Sequence, residues 1–187
     1  MIYGIESLME DHQDILRLTR VIKSLLKDQL EGEKDLPLGD LRRIVDFIRT
    51  YADDHHHGKE EKILFQYMLE ELGSPAEKIV RQGMLVDHDQ ARSAIYKLDQ
   101  ALGAYEKDPS LENRLDIIGY SHRYADLLED HVFREDKVVY PFALRELSQD
   151  SLDRVDKESR AFNEAAQKEG LQKKYKDLLK ELEETYL

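Results

Sequence analysis

Cysteine is absent from this 187-residue chain, which excludes disulfides, thiolate zinc sites, iron–sulfur clusters ligated by the chain itself and a cysteine nucleophile. Any metal must be held through nitrogen and oxygen. Tryptophan is absent too, and with only 4 prolines and 9 glycines the few turn signals carry weight. No run approaches the roughly 20 apolar residues a membrane helix needs. Basic charge is in deficit: 28 Lys and Arg stand against 40 Asp and Glu, a net charge of −12. That balance disfavours nucleic acid and anionic membrane as partners and favours cations. The opening residues carry Glu6, Glu10, Asp11 and Asp14 where a secretory leader would have a basic start and an apolar core. The expected location is cytoplasmic.

What is present is helical periodicity. Ile5, Leu8, Ile15, Leu18, Ile22, Leu25 and Leu26 recur at three- and four-residue steps, and no alternating pattern of comparable length competes. Gly32 through Pro37, Gly73-Ser74-Pro75 and Asp108-Pro109-Ser110 divide the chain, with Ser74 and Ser110 as expected N-caps and Pro75 in a tolerated first-turn position. Helices are predicted at 4–31, 38–72, 75–107 and 110–147, each roughly 45 Å long at 1.5 Å per residue. Four long helices with short connections imply an all-α, antiparallel, up-down-up-down four-helix bundle. The bundle should occupy 1–148, and 149–187 should form a C-terminal helical extension that packs on it or mediates self-association. Pro141 should kink or divide the fourth helix, Gly58 should loosen the second, and the charged runs at 31–35 and 173–184 should be solvated surface.

The most specific feature is an internal repeat. His56 and Glu60 are matched by His131 and Glu135 at an offset of 75, which also pairs Tyr67 with Phe142, Leu69 with Leu144, Glu71 with Glu146 and Leu72 with Leu147; an offset of 76 pairs Asp11-His12 with Asp87-His88. Histidine four residues before glutamate stacks imidazole over carboxylate on one helix face. A duplicated pair predicts a pseudo-twofold site. One histidine from each of helices one and three joins them, giving His12, His56, Glu60, His88, His131 and Glu135 as candidate ligands for two metal ions. If both glutamates bridge, each ion receives two imidazoles and two carboxylate oxygens. An oxo or hydroxo bridge then leaves one octahedral position for dioxygen, nitric oxide, peroxide or water. This donor set suits two iron ions (Fe2+/Fe3+), and also accommodates manganese or zinc, but not calcium.

With Leu8-Met-Glu-Asp-His12, His56 to Phe65, Leu85-Val-Asp-His88-Asp and His131 to Pro141 in place, residues 1–147 resemble the hemerythrin-like, or HHE cation-binding, family. The resemblance implies a four-helix bundle around a non-haem di-iron centre and carries the metal positions to the six residues above. One departure stands out. Oxygen-carrying hemerythrins place a second histidine one turn from the first on their third helix, whereas the positions one turn from His88 are Met84 and Arg92. The chain is therefore more similar to the four-histidine, two-glutamate sensors and iron-cluster repair proteins, although those repair proteins typically add a cysteine-bearing module.

Simpler readings compete at several positions. His55 and His57 flank His56, and His57 to Glu61 is also an i to i+4 pair, but the repeat sets His57 and Glu61 opposite Val132 and Asp136, so His56 is preferred. His122 lies about half a turn off the ligand face. Tyr124 is the candidate relay, against the plainer reading of core packing, and Met9 and Met84 are apolar filler near the site. The function expected is binding, sensing or buffering of dioxygen, nitric oxide or iron. The alternatives are a di-iron enzyme that reduces peroxide, oxygen or nitric oxide with a redox partner or takes part in iron–sulfur cluster repair, and a structural bundle holding zinc or no metal. Ferritin-like iron oxidation fits less well, because that class sets glutamate before histidine at i, i+3.

Overall fold

The computed structural model describes residues 2–32 and 35–187, so Glu33 and Lys34 of the charged run at 31–35 lie outside it. The described residues form helices and connections with no strand. α1 is Tyr3–Glu31. α2 covers 38–71 and includes two stretches of wide, π-helical turns, Ile48–His57 and Glu60–Leu64. α3 covers 73–107, with wide turns over Glu77–Met84. α4 covers 111–146, with wide turns over Glu135–Val139. α5 is Gln149–Lys168 and α6 is Leu171–Tyr186.

The predicted boundaries fall within about two residues of these, with local differences. Ser110 caps α4, its hydroxyl accepting from the Asn113 N–H at 3.4 Å. Ser74 does not cap α3: the chain turns at Gly73 (φ 57°), and the helix starts there, leaving Ser74 inside the first turn. α4 runs on through Pro141 because the wide turn just before it changes the hydrogen-bond ladder where the proline's missing N–H would otherwise break it.

Two apolar clusters fill the bundle. One contains Ile15 to Leu26 of α1, Leu41 to Ala52 of α2, Ala91 to Leu102 of α3 and Ile117 to Leu128 of α4. The other contains Ile5 and Leu8, Ile63 to Met68, Ala76 to Met84, and Val139 to Ala143. Following the chain, α1 leaves the second cluster for the first, α2 returns, α3 repeats the outward path and α4 the return. The bundle is therefore up-down-up-down, and each helix crosses a short polar layer midway: His12, His56 to Glu60, His88, and His131 to Glu135. Met84 is buried in the second cluster, and Met9 packs partly buried against it.

The C-terminal extension packs along the bundle. Leu152 and Val155 of α5 join the second cluster, while Tyr175, Leu178, Leu179 and Leu182 of α6 join the first. The 173–184 run is thus amphipathic: its charges face outward, and its Leu and Tyr stripe is buried. Gly170, at φ 72°, makes the turn between the two helices. α1 and α5 meet closely at Gly4, where an added Cβ would lie 3.0 Å from Ser159 Oγ and 3.0 Å from Val155 Cγ1. Gly4→Ala should therefore lower stability by about 1–2 kcal/mol despite alanine's better helix propensity; a denaturant midpoint unchanged or raised would show that the two helices yield without cost.

Candidate metal centre

The polar layer gathers seven side chains from four helices: His12, His56, His57, Glu60, His88, His131 and Glu135, none more than 2% exposed. They fall into two groups of possible ligands, His12, His56, Glu60 and Glu135 on one side and His57, Glu60, His88 and His131 on the other, with donor atoms in each group within 4.8 Å of one another. All six residues expected from the repeat are brought together. His57 is the addition.

The imidazoles are held by an outer ring of carboxylates. Nδ1 of His12 is 2.8 Å from Asp136, that of His88 2.7 Å from Glu61, that of His57 3.2 Å from Asp53, that of His131 3.3 Å from Asp87 and that of His56 3.6 Å from Asp11. For the first four, the carboxylate on one ring nitrogen fixes the tautomer that carries its proton there and leaves the other nitrogen's lone pair free for a metal, whereas Asp11 faces His56 from beyond hydrogen-bond distance. Those free Nε2 atoms turn inward. His12 and His131 place theirs 3.1 and 3.2 Å from Glu135 Oε2, while His56 and His88 each place theirs 3.5 Å from Glu60 Oε2. The Nε2 atoms of His88 and His131 are 3.2 Å apart. Metal–nitrogen bonds of about 2.0–2.1 Å set neighbouring donors about 3.0–3.4 Å apart in octahedral or tetrahedral geometry, so these separations match the edges of a coordination polyhedron. Nε2 of His56 and His57, Oε2 of Glu60 and Oε1 of Glu135 are buried without any hydrogen-bond partner. Orphaned inward lone pairs of this kind are what a cation satisfies.

The duplication extends into this outer ring. His12–Asp136 on one side corresponds to His88–Glu61 on the other, Asp11–His56 to Asp87–His131, and Lys59 on Asp11 at 2.8 Å to Arg134 on Asp87 at 2.7 Å. Even the wide turns recur at the same offset, Glu60–Leu64 and Glu135–Val139. Two positions break the symmetry. His57 on one side stands opposite Val132, and Tyr140 stands opposite Phe65. Tyr140 donates its hydroxyl to Glu60 Oε1 at 2.7 Å and lies 3.3 Å from His12 Nε2, its ring stacked on His12. Phe65 stacks correspondingly on His88 but has no hydroxyl to offer.

The remaining candidates sit outside the donor cluster. His55 points toward Asp11 (3.8 Å) and packs against Phe162 of α5. His122 is exposed. Tyr124 is buried with a hydroxyl that has no partner, and the hydroxyl that does reach a candidate ligand belongs to Tyr140. Beneath His56, the ammonium of Lys59 is fully buried and bound by Asp11, Ser7 and Asn163 of α5.

The centre's protonation follows from its burial. Burial and the Glu135 charge push Glu60 well above the usual carboxylate range, whereas Glu135, although burial opposes its ionisation, is held well below that range by His131 and His12. Burial lowers His55 to about 4, His56 to about 3 and His57 well below its ordinary value. The unfolded chain takes up these three protons below about pH 6.5 and the folded metal-free chain does not, so folding stability should fall as pH drops from about 6.5 toward 4, by up to about 2 kcal/mol per imidazole at pH 5. Glu60 works in the opposite direction, holding its proton in the fold above the pH at which the unfolded chain loses it, but one carboxyl does not offset three imidazoles. His12 and His131, raised despite burial by their carboxylate partners, also work in the opposite direction, but only while the unfolded imidazoles are taking up their protons around pH 6.5; at lower pH both are charged in both states and do not alter the slope. Urea midpoints of metal-free protein at pH 7 and pH 5 test this; a midpoint equal or higher at pH 5 contradicts it.

The family profile of the hemerythrin HHE cation-binding domain matches residues 3–143. The chain belongs to this family. The match spans all four bundle helices and every one of the seven donors. The hemerythrin HHE assignment and the donor geometry thus agree that this layer is built to bind metal cations. No curated protein matches the chain, and among the described residues no helix is long and apolar enough to cross a membrane.

Proposed function

We propose that the protein holds two iron ions in this layer and uses them to bind, sense or buffer dioxygen, nitric oxide or iron. The observation that carries the reading is the set of inward Nε2 atoms around two glutamates, four of the five imidazoles being held by a carboxylate on the other nitrogen. His12 and His56 would hold one ion, and His57, His88 and His131 the other. Glu60 and Glu135 lie between the two groups and would serve both. Bound iron supplies reversible one-electron chemistry and affinity for small diatomic ligands. With Val132 where a symmetric site would place another histidine, the His12–His56 side has fewer imidazole donors, so an ion there would keep a coordination position for a small ligand. The apolar clusters above and below keep bulk water away from it.

Tyr140 favours a second reading, an enzyme that reduces peroxide, oxygen or nitric oxide at the same centre. Its hydroxyl, kept protonated by burial and by the Glu135 charge, keeps a proton at Oη beside Glu60 and His12.

Elemental analysis of iron-loaded protein, with absorption spectra under anaerobic, aerobic and nitric-oxide conditions, tests the proposal. About two iron per chain and a spectrum that changes reversibly with gas are expected. Sustained turnover with an electron donor would select the enzymatic reading, and retention of zinc with exclusion of iron would overturn both.

A further inference from the structure

The two halves of the bundle differ in the cation that stands behind each outer carboxylate. Arg134, which pairs with Asp87 at 2.7 Å, keeps its side chain 46% exposed, so water and salt screen its charge. Lys59, its counterpart on Asp11, is 1% exposed. An ammonium has three N–H donors, and oxygens from α1 and α5 match them: Asp11 Oδ2 at 2.8 Å, Ser7 Oγ at 3.2 Å and Asn163 Oδ1 at 3.2 Å. Asn163 lies beyond the residues the family profile matches, and its own amide donates to Tyr3 at 3.0 Å. The other Asp11 oxygen accepts from Tyr51 at 3.1 Å. Both oxygens of Asp11 are thus engaged, and His56 Nδ1, 3.6 Å from Oδ2, is left without a partner. In the other half, Asp87 Oδ2 accepts from Arg134 and still lies 3.3 Å from His131 Nδ1.

We infer that Lys59 is a positioning residue that draws Asp11 off His56 and makes the His12–His56 position the weaker, more readily emptied of the two metal positions. The inference rests on the two-metal reading above. An imidazole that no carboxylate holds is less fixed in orientation and a poorer donor to metal. An unscreened ammonium in a dry interior also opposes a cation nearby. Both effects act on the same ion. The lysine serves the empty site as well, because it neutralises Asp11 when no metal is there and spares the fold an unpaired buried charge. A position that empties without unfolding the chain suits the buffering of iron.

Zinc titration of the metal-free full chain against a competing chelator, with thermal melts of the metal-free and zinc-loaded forms, tests the inference. The wild type should take up two zinc ions with unequal affinity. Lys59→Met should tighten the weaker affinity about tenfold and leave the other unchanged; its metal-free form should melt lower than the wild type, and zinc should restore it. Arg134→Met, which removes a solvated charge, should shift either affinity by less than about threefold. Lys59→Met combined with Asp11→Asn removes both charges of the pair and should return the weaker affinity to near the wild-type value. A lysine that only supports the fold predicts the opposite sign, weaker zinc binding in Lys59→Met. That result, an unchanged weaker affinity, or a Lys59→Met chain that zinc does not restore would overturn the inference and leave the two-metal reading standing. Fewer than two zinc ions in the wild type would overturn both.

Discussion

Glu60→Ala and Glu135→Ala should each reduce bound metal from two ions per chain to one or none. Each glutamate reaches imidazoles of both groups: Glu60 Oε2 is 3.5 Å from His56 and from His88, and Glu135 Oε2 is 3.1 Å from His12 and 3.2 Å from His131. Removing either carboxylate takes a donor from both ions at once and leaves the positive charge of two cations facing a single anion in a dry interior, where that imbalance is costly. Loss of a histidine removes a donor from one ion only, so His12→Ala should be milder than either glutamate variant. In the metal-free protein the order reverses for Glu60, whose neutral form already accepts from Tyr140; Glu60→Ala should leave that apo fold intact. Metal content after gel filtration reads the outcome, and two ions retained in both glutamate variants would show that they are not shared ligands.

Ending the chain at residue 148 should abolish the cooperative fold. Val155, Tyr175, Leu179 and Leu182 are each no more than 1% exposed, and burying such a side chain contributes about 1.5–3 kcal/mol. Their loss alone approaches the 5–15 kcal/mol by which a typical domain is stable. The loss does not stop at apolar area. Asn163 binds the buried Lys59 ammonium at 3.2 Å, Asp156 caps the N–H of Gly4 at 2.8 Å, and Glu183 forms a two-point pair with Arg17. Lys59 in turn neutralises Asp11, which faces His56. A truncated chain should therefore melt without cooperativity and lose metal. A sharp thermal transition within a few degrees of full length would mean that residues 149–187 are an independent attachment.

Much of this architecture could be read before any coordinates. The scarcity of glycine and proline makes each turn signal informative, and the offset of 75–76 points to six of the seven side chains that converge in the buried layer, because duplication preserves the spacing that a shared helix face demands. Other features leave no such mark in the sequence. The repeat favours His56 over His57, because His57 falls opposite Val132, and a repeat cannot reveal a residue that only one half carries; the wide turns of α2 reduce the angle between neighbours from about 100° to roughly 80° and bring both His56 and His57 inward. Tyr140 lies five residues after Glu135, off the α-helical ligand face, and again a wide turn returns it; the clue was its place opposite Phe65 in the repeat. The burial of Lys59 was not legible, since a lysine between histidine and glutamate reads as surface, and only the arrival of Asn163 from α5 makes a dry ammonium tolerable. Ser74 misled because its serine–proline pair resembles a helix start, while the left-handed turn at Gly73 does the work one residue earlier.

The most direct test is anomalous diffraction at the iron edge from crystals of the iron-loaded protein. Two peaks in the buried layer, both within bonding distance of Glu60 and Glu135, one beside His12 and His56 and the other beside His57, His88 and His131, are the predicted result. A single peak, or none between those two carboxylates, would contradict the account.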